Sequence, residues 1–490
     1  MPINQPNTHE TLDPQDWSKT AALAHRMIDD AIAHISNVRD RPVWRPMPDD
    51  VRKFFTAPLP EAPGDLAEAY DALTENLLPY SMGNIHPRFW GWYMGSGNFT
   101  GALGDFLAAI EGSNLGGGNT AACELDRQVV SWLKSMTGFP PSASGTLTSG
   151  GSMANLVCLT VARNVSAGID VRAEGIMALP KPLRFYASDQ AHSCIQKGME
   201  ILGLGAKSLH LIASKPDFTM DVAALESAIA ADKAQGLKPV CVVATAGTTN
   251  TGAIDDVMAI GDICRRNQLW MHVDGCIGAL LKIAPANKAR VDGIELADSL
   301  SLDPHKWLHA PFEVGCALVR DGRQHRDSFA MHPAYLEEKQ RGIGSGEFLA
   351  DYSLELSRNL KALKVWLSLK ENGVEKFGRL IDQNIAQAKY LTGLVNAEPR
   401  LELMAPTSIN IVCFRHVLPG ADESRMKSIN TEIMLRLQEQ GIAAPSDTTI
   451  NGRHCIRVAI TNHRTRQEDL DLLVREVLRL GAELEAQAPQ

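Results

Sequence analysis

From about residue 140 the chain alternates short β-branched apolar runs with amphipathic stretches, and this alternation restricts the fold more than any other feature of the sequence. Runs at Arg184–Ser188, Ser208–Ala213, Val240–Ala246, Leu269–Asp274, Ser299–Leu302 and Gly315–Val319 are too short for helices and read as strands. Between them, Ala191–Leu202, Asp221–Gln235 and Asp255–Gln268 carry helical spacing. Strands that alternate with helices pair mainly in parallel, because each helix returns the chain across a face of the sheet. The expected class is α/β: a mainly parallel central sheet with helices on both faces and ligands at the carboxyl ends of its strands.

The flanks read differently. In the first 80 or so residues, Trp17, Ala21, Leu23, Ala24, Met27, Ile28, Ile32 and Ile35 recur at helical spacing, and the Pro-rich stretch Arg41–Pro46 forces an extended connector. Such a segment has little core of its own, so its apolar stripe needs the rest of the chain or a second subunit. Beyond helix Leu360–Lys370, Asn372-Gly373 opens a compact α+β unit: helix Val374–Glu398, strand Ile409–Phe414, a helix near Arg425–Gln440, strand Cys455–Ile460 and a helix from Gln467 to Glu485. The expected divisions are 1–85, 86–370 and 371–490.

Composition narrows the partners. The net charge of −9 argues against nucleic acid or an anionic membrane as the main partner. No run approaches the 18 or so apolar residues of a membrane span, and the polar stretch Met1–Thr20 lacks the apolar centre of a secretion signal. Nine scattered cysteines with no C-x-x-C pair read as reduced thiols, so the expected location is cytoplasmic.

Four segments bear chemistry. Asp303-Pro304-His305-Lys306-Trp307 ends a strand; a desolvated Lys306 would lose its ammonium form and become a nucleophile for an aldehyde, unless it is a plain surface lysine in a turn. His272-Val273-Asp274 ends another, where Asp274 suits a cationic ring nitrogen, or where His272 and Asp274 are two metal ligands on one strand face. Thr148 to Asn155, with Gly150, Gly151 and Ser152 opening a helix, suits a phosphate; it is also a capping turn, or a near miss to the G-x-S-x-G elbow of serine hydrolases with Ser152 as nucleophile. His192 follows a strand at Ser188-Asp189-Gln190. A phosphate cradle, a flat side chain, a carboxylate and a lysine together meet the needs of pyridoxal 5′-phosphate.

The ensemble resembles the group II pyridoxal-phosphate decarboxylases over nearly the whole chain, most specifically in Asp303–Trp307 preceded at the right distance by His272-Val273-Asp274, and also in His86–Gly91 and Cys123-Glu124-Leu125-Asp126. The resemblance implies fold type I, the aspartate-aminotransferase-like fold, and a homodimer with active sites at the subunit interface and an N-terminal arm on the partner. It implies that Lys306 holds the cofactor as an internal Schiff base, Asp274 keeps the pyridine nitrogen protonated, His192 stacks on the ring, Gly151, Ser152 and His305 contact the phosphate, and Thr245 lies near the ring.

Tyr352, after the glycine-rich Arg341–Gly346, is implied as the group that reprotonates the α-carbon from a mobile loop reaching the neighbouring site. Relatives that form aldehydes carry Phe there, so tyrosine favours an amine product. Trp90, Trp92 and Tyr93 are implied at the substrate pocket and suit an aromatic side chain. Against this, the wall segment Ser113–Asn119 is small and polar, which leaves a polar substrate open. The implied activity is decarboxylation of an L-amino acid, aromatic before others (DOPA, tyrosine, tryptophan or phenylalanine), to the amine and CO2. Aldehyde synthesis on the same fold and a serine hydrolase remain the alternatives.

Overall fold

The computed structural model describes residues 10–331 and 339–487. In chain order the strands are β1 (Phe89–Trp90), β2 (Ser144–Thr148), β3 (Leu183–Ser188), β4 (Leu209–Ile212), β5 (Lys238–Thr245), β6 (Trp270–Asp274), β7 (Ser299–Leu302), β8 (Gly315–Val319), β9 (Leu401–Leu403), β10 (Ile411–His416), β11 (Ala444–Ile450) and β12 (Arg453–Ala459). Seven form a sheet in the order β2-β8-β7-β6-β5-β3-β4. All its pairings are parallel except the two made by β8, which runs antiparallel to β7 and β2. The six strands expected from apolar runs are present with ends shifted by two residues at most. Strand β2 is an addition to that pattern: Ser-Gly-Thr-Leu-Thr holds a single large apolar residue, and its pairing with β8 supplies what its sequence lacks.

Helices pack on both faces, and their starts are chemically marked. The Asp221 side chain accepts from the amides of Ala223 and Ala224 at the head of helix Val222–Ala234, and Asp256 caps Val257–Asn267. The expected helix from Ala191 begins only at Cys194. The amides of Gln190 and Ala191 are held by the Ser188 hydroxyl and carbonyl, and this local turn leaves His192 outside the helix at the carboxyl end of β3.

The C-terminal unit is built on a five-stranded sheet, β1-β11-β12-β10-β9. The expected break at Asn372-Gly373 is a single non-helical residue, Gly373 (φ 68°, ψ 153°), inside an otherwise continuous helix Ala362–Ala397. Strand β1 pairs in parallel with β11, so the segment expected to open the large domain belongs to the small sheet. The polar sequence of β11, Ala-Pro-Ser-Asp-Thr-Thr-Ile, conceals a strand that is defined by pairing with β12.

In the N-terminal segment, helices Trp17–Ser36 and Leu66–Asn76 bury none of their residues within one chain, and Trp17, Leu66 and Leu73 stand in solvent. The connector after the first helix is anchored to the C-terminal unit through Arg39 to Asp469 (2.7 Å) and the amide of Val43 to the carbonyl of Gly441 (3.0 Å). Among the described residues no helix is long and apolar enough to cross a membrane. All nine cysteines are buried free thiols.

Candidate active site

Sheet register brings the predicted residues together. Thr245 at the end of β5 is level with Asp274 at the end of β6, and Asp274 with Ser301 in β7. One step further, β7 runs into Asp303 and the short helix Pro304–Trp307, whose proline occupies a first-turn position that has no amide to satisfy. A cavity of about 300 Å³ opens over these strand ends, lined by Gly151, Ser152, His192, Asp274, His305 and Lys306 together with Asn155, Cys194, Cys276 and Asp303.

Lys306 does not behave as the desolvated neutral amine expected from its surroundings. Burial does disfavour its ammonium, but the Asp303 carboxylate lies 3.0 Å from Nζ, and with Cys276 and Asp274 it outweighs that penalty and raises the amine above the ordinary lysine range. The ring of Tyr93 lies under the same ammonium, its centroid 5.5 Å from Nζ, in cation–π contact. The Tyr93 hydroxyl bonds to Asn410 (3.2 Å), which fixes the ring from the C-terminal unit.

Asp274 is buried, and burial alone would raise its carboxyl. Hydrogen bonding from Cys276 and the fields of His272 and Lys306 reverse the effect and hold it below the ordinary aspartate value. Its Oδ1 accepts from the Cys276 amide (3.2 Å) and lies 3.3 Å from the Ser301 hydroxyl. His272 is fully buried and pushed down to about 4 by desolvation. Both its ring nitrogens are occupied, Nε2 by Asn155 (2.7 Å) and Nδ1 by the Ser299 hydroxyl (2.9 Å), so the metal-ligand reading of His272 with Asp274 does not fit.

The glycine loop is a cradle in the literal sense. A Cβ on Gly151 would lie 2.5 Å from Cys276 Sγ and 2.7 Å from Asp303 Oδ2, so no side chain fits there. Gly150, at φ 139°, precedes helix Gly151–Ser166 and offers no capping side chain, which leaves first-turn amides facing the cavity mouth. His305 is held by the Val314 amide (3.3 Å) and packed against Phe312, and burial lowers its pKa. Among the described residues no hydrogen bond joins Ser152 to a histidine; its hydroxyl neighbours the Cys194 thiol, which removes the basis for a hydrolase nucleophile. Two buried oxygens in this region, Thr245 Oγ1 and Asp303 Oδ1, have no partner. An anion cradle, an ionised carboxylate, a lysine and unsatisfied buried oxygens fit pyridoxal 5′-phosphate.

Three sequence-predicted features sit elsewhere. Trp92, at φ 50°, points away from Lys306 into a separate cavity with Trp44, Tyr80 and Phe89, and Trp90 is buried with its indole near Thr465. The positive φ at Trp92 bends the chain there, so the adjacent Trp92 and Tyr93 rings lie in different places, Tyr93 beside Lys306 and Trp92 in the other cavity. Tyr352 is not brought to the cavity of its own chain. Its hydroxyl bonds to Glu347, and its ring packs edge-on against His325 (5.0 Å), whose Nδ1 meets Ser144 (2.8 Å). Ser144 begins β2 and the glycine loop follows its other end, about 13 Å of strand away.

Finally, the small wall Ser113–Asn119 is small because the chain packs on it: a Cβ on Gly117 would lie 2.5 Å from Phe348, and Ala350 donates to the carbonyl of Gly116 (2.9 Å). It is therefore no argument for a polar substrate. Asp126, from the Cys123–Asp126 motif, forms a buried ion pair with Arg358 (2.7 Å) instead of facing the cavity. Three residues lining the cavity, Asp303, Asn155 and Cys194, carry no assignment from sequence. Asp303 has a signal in its spacing of three from Lys306 in a helical turn; Asn155 has none.

Comparison with known proteins agrees with this geometry. The family described as the pyridoxal-dependent decarboxylase conserved domain matches residues 48–417. An aromatic-L-amino-acid decarboxylase of Bacillus atrophaeus is 33% identical over 95% of this chain and 96% of its own. A crystal structure of Oryza sativa TDC with PLP and tryptamine superposes with a TM-score of 0.89 at 26% identity, covering 97% of this chain and 100% of that one. The 4-hydroxyphenylacetaldehyde synthase of Rhodiola rosea superposes with a TM-score of 0.86 at 25% identity, over 96% and 100%. A match of this extent, together with a lysine, carboxylate and anion cradle at the strand ends, means that the chain belongs to the pyridoxal-dependent decarboxylase family.

Proposed function

We propose that this enzyme decarboxylates an L-amino acid with an aromatic side chain and releases the corresponding amine and CO2. The observation that carries the substrate class is the Tyr93 ring beside Lys306, an aromatic wall at the point of chemistry. The Bacillus atrophaeus relative and a tyrosine decarboxylase of Petroselinum crispum, 30% identical over 92% of this chain, support it.

The cofactor, when bound, supplies the sink for the electrons left behind by departing CO2. Lys306 is the residue that would hold it covalently, and Asp303 Oδ2, 3.0 Å from Nζ, is the acceptor for the proton the amine must shed before it attacks an aldehyde. Asp274, kept ionised, would keep a ring nitrogen protonated. The first-turn amides of Gly151 and Ser152, with His305 beside them, would hold the phosphate, and Thr245 Oγ1 and His192 would bind the ring. Tyr352 is given no proton transfer in its own chain's cavity, because its hydroxyl is engaged by Glu347.

A homodimer completes this reading. The unburied helix Trp17–Ser36, with Trp17 and Ile32 exposed, is best covered by a second copy. Buried thiols without disulfides suit a reducing compartment such as the cytoplasm. The test is to reconstitute purified protein with pyridoxal phosphate and follow CO2 and amine across the amino acids. Turnover of aromatic substrates ahead of glutamate, aspartate and histidine supports the reading, and a preference for an acidic or basic amino acid refutes it.

A further inference from the structure

We propose that Asn155 is a positioning residue of the cofactor site, tying the phosphate cradle to Asp274 and thereby setting how strongly Asp274 engages the ring nitrogen. Asn155 is buried near the start of helix Gly151–Ser166 and contacts both ends of the cavity floor. Its Nδ2 donates to the carbonyl of Gly151 (2.9 Å), and that bond fixes the amide orientation. Oδ1 is then an acceptor only, and it receives two bonds, from His272 Nε2 (2.7 Å) and from the Ser301 hydroxyl (3.0 Å).

The chain of donors behind His272 has one consistent direction. Because Asn155 Oδ1 only accepts, the proton of the neutral imidazole sits on Nε2, and Nδ1, which lies 3.2 Å from the Ser299 carbonyl, accepts from the Ser299 hydroxyl (2.9 Å), whose oxygen accepts from the Trp270 indole N–H (2.8 Å). On the other side, Ser301 has one proton and two acceptors, Asn155 Oδ1 at 3.0 Å and Asp274 Oδ1 at 3.3 Å. Both acceptors lie within hydrogen-bond distance of the one hydroxyl, so its proton is divided between them, with Asn155 the nearer. Loss of Asn155 releases Ser301 to bond Asp274 alone and frees the Gly151 carbonyl, which alters both the orientation and the charge of the carboxylate toward the ring. The backbone amide of Cys276 also holds this Oδ1 (3.2 Å), so the carboxylate is positioned by Cys276 and Ser301 together.

This inference rests on Asp274 being the partner of the ring nitrogen, and the test separates the two. Affinities of the full-length apoenzyme are measured for pyridoxal phosphate and for its carbocyclic analogue, in which C–H replaces the ring nitrogen. The ratio of the two isolates the nitrogen contact from phosphate binding and from general packing. Wild type favours pyridoxal phosphate, and Asp274→Asn brings the ratio close to one. Asn155→Ala lowers the ratio about tenfold, the scale of one buried hydrogen bond. Ser301→Ala, a smaller change that removes the hydroxyl shared by Asn155 and Asp274, relieves the carboxylate of that competing donor and raises the ratio; an unchanged ratio in Ser301→Ala overturns the proposal should Asn155→Ala not fold. An unchanged ratio in Asn155→Ala, with both affinities reduced alike, assigns Asn155 to packing and overturns the proposal. An unchanged ratio in Asp274→Asn overturns the ring-nitrogen reading and the proposal with it.

Discussion

Lys306 Nζ lies 3.0 Å from Asp303 Oδ2, three residues back on the same helical turn. The pair keeps the lysine charged in the absence of cofactor, although the amine is buried. The two effects compete, and the ion pair prevails because a carboxylate at hydrogen-bond distance in a desolvated site outweighs the loss of water on the amine alone. Asp303 also crowds Gly151, so one carboxylate shapes both the nucleophile and the anion cradle.

Asp303→Asn removes the charge that raises Lys306. The pH midpoint for covalent capture of pyridoxal by the apoenzyme is expected to move to lower pH, read by visible absorbance or by borohydride trapping. Lys306→Ala leaves no cofactor attached after borohydride treatment. A midpoint that stays in place in Asp303→Asn would assign the raised value of Lys306 to another source.

Gly151→Ala places a methyl carbon 2.5 Å from Cys276 Sγ, well inside van der Waals contact. Cofactor affinity is expected to fall by at least about tenfold, since the loop must move off its anion-binding position. Gly344→Ala, where the nearest atom is 3.7 Å away, serves as the control and leaves affinity unchanged. Titration of apoenzyme with pyridoxal phosphate measures both.

Tyr352→Phe is expected to leave the product an amine, with no rise in aldehyde, ammonia or peroxide. The hydroxyl it removes serves Glu347, which is half exposed, so unfolding free energy falls by about 1 kcal/mol or less. A switch from amine to aldehyde would restore to Tyr352 the role that the family resemblance implies.

Acid is expected to destabilise the fold through its buried histidines. His325 is buried between Ser144 and the carbonyl of Tyr352, and desolvation lowers its pKa to about 3. A histidine depressed in the folded state contributes stability that is complete above its unfolded pKa of about 6.5 and is lost as pH falls toward the folded value. His325→Gln removes this contribution and flattens the dependence of stability on pH between about 6.5 and 3, with the slope for one proton near 1.4 kcal/mol per pH unit. Denaturant unfolding across that range measures the slope.

The parts of this molecule that are legible in its sequence are those where local chemistry and tertiary structure agree. Strands β3 to β8 announce themselves by apolar runs, and Asp274 and Lys306 by their places at strand ends. Strands β2 and β11 are hidden because Ser144–Thr148 and Ala444–Ile450 are polar and become strands only by pairing with β8 and β12. Trp92 and Tyr93 are indistinguishable as a dipeptide, and a backbone φ of 50° decides which one faces Lys306. Asn155 looks like any polar residue on a helix; its importance comes from Ser301 and His272, more than a hundred residues away.

The most direct test of the central claim supplies the reconstituted enzyme with carboxyl-labelled phenylalanine, tyrosine, tryptophan and DOPA, and measures labelled CO2 against amine. The predicted result is CO2 and amine in equal amounts from at least one of them, abolished in Lys306→Ala. No labelled CO2 from any of the four, or aldehyde with ammonia and peroxide in place of amine, would contradict it.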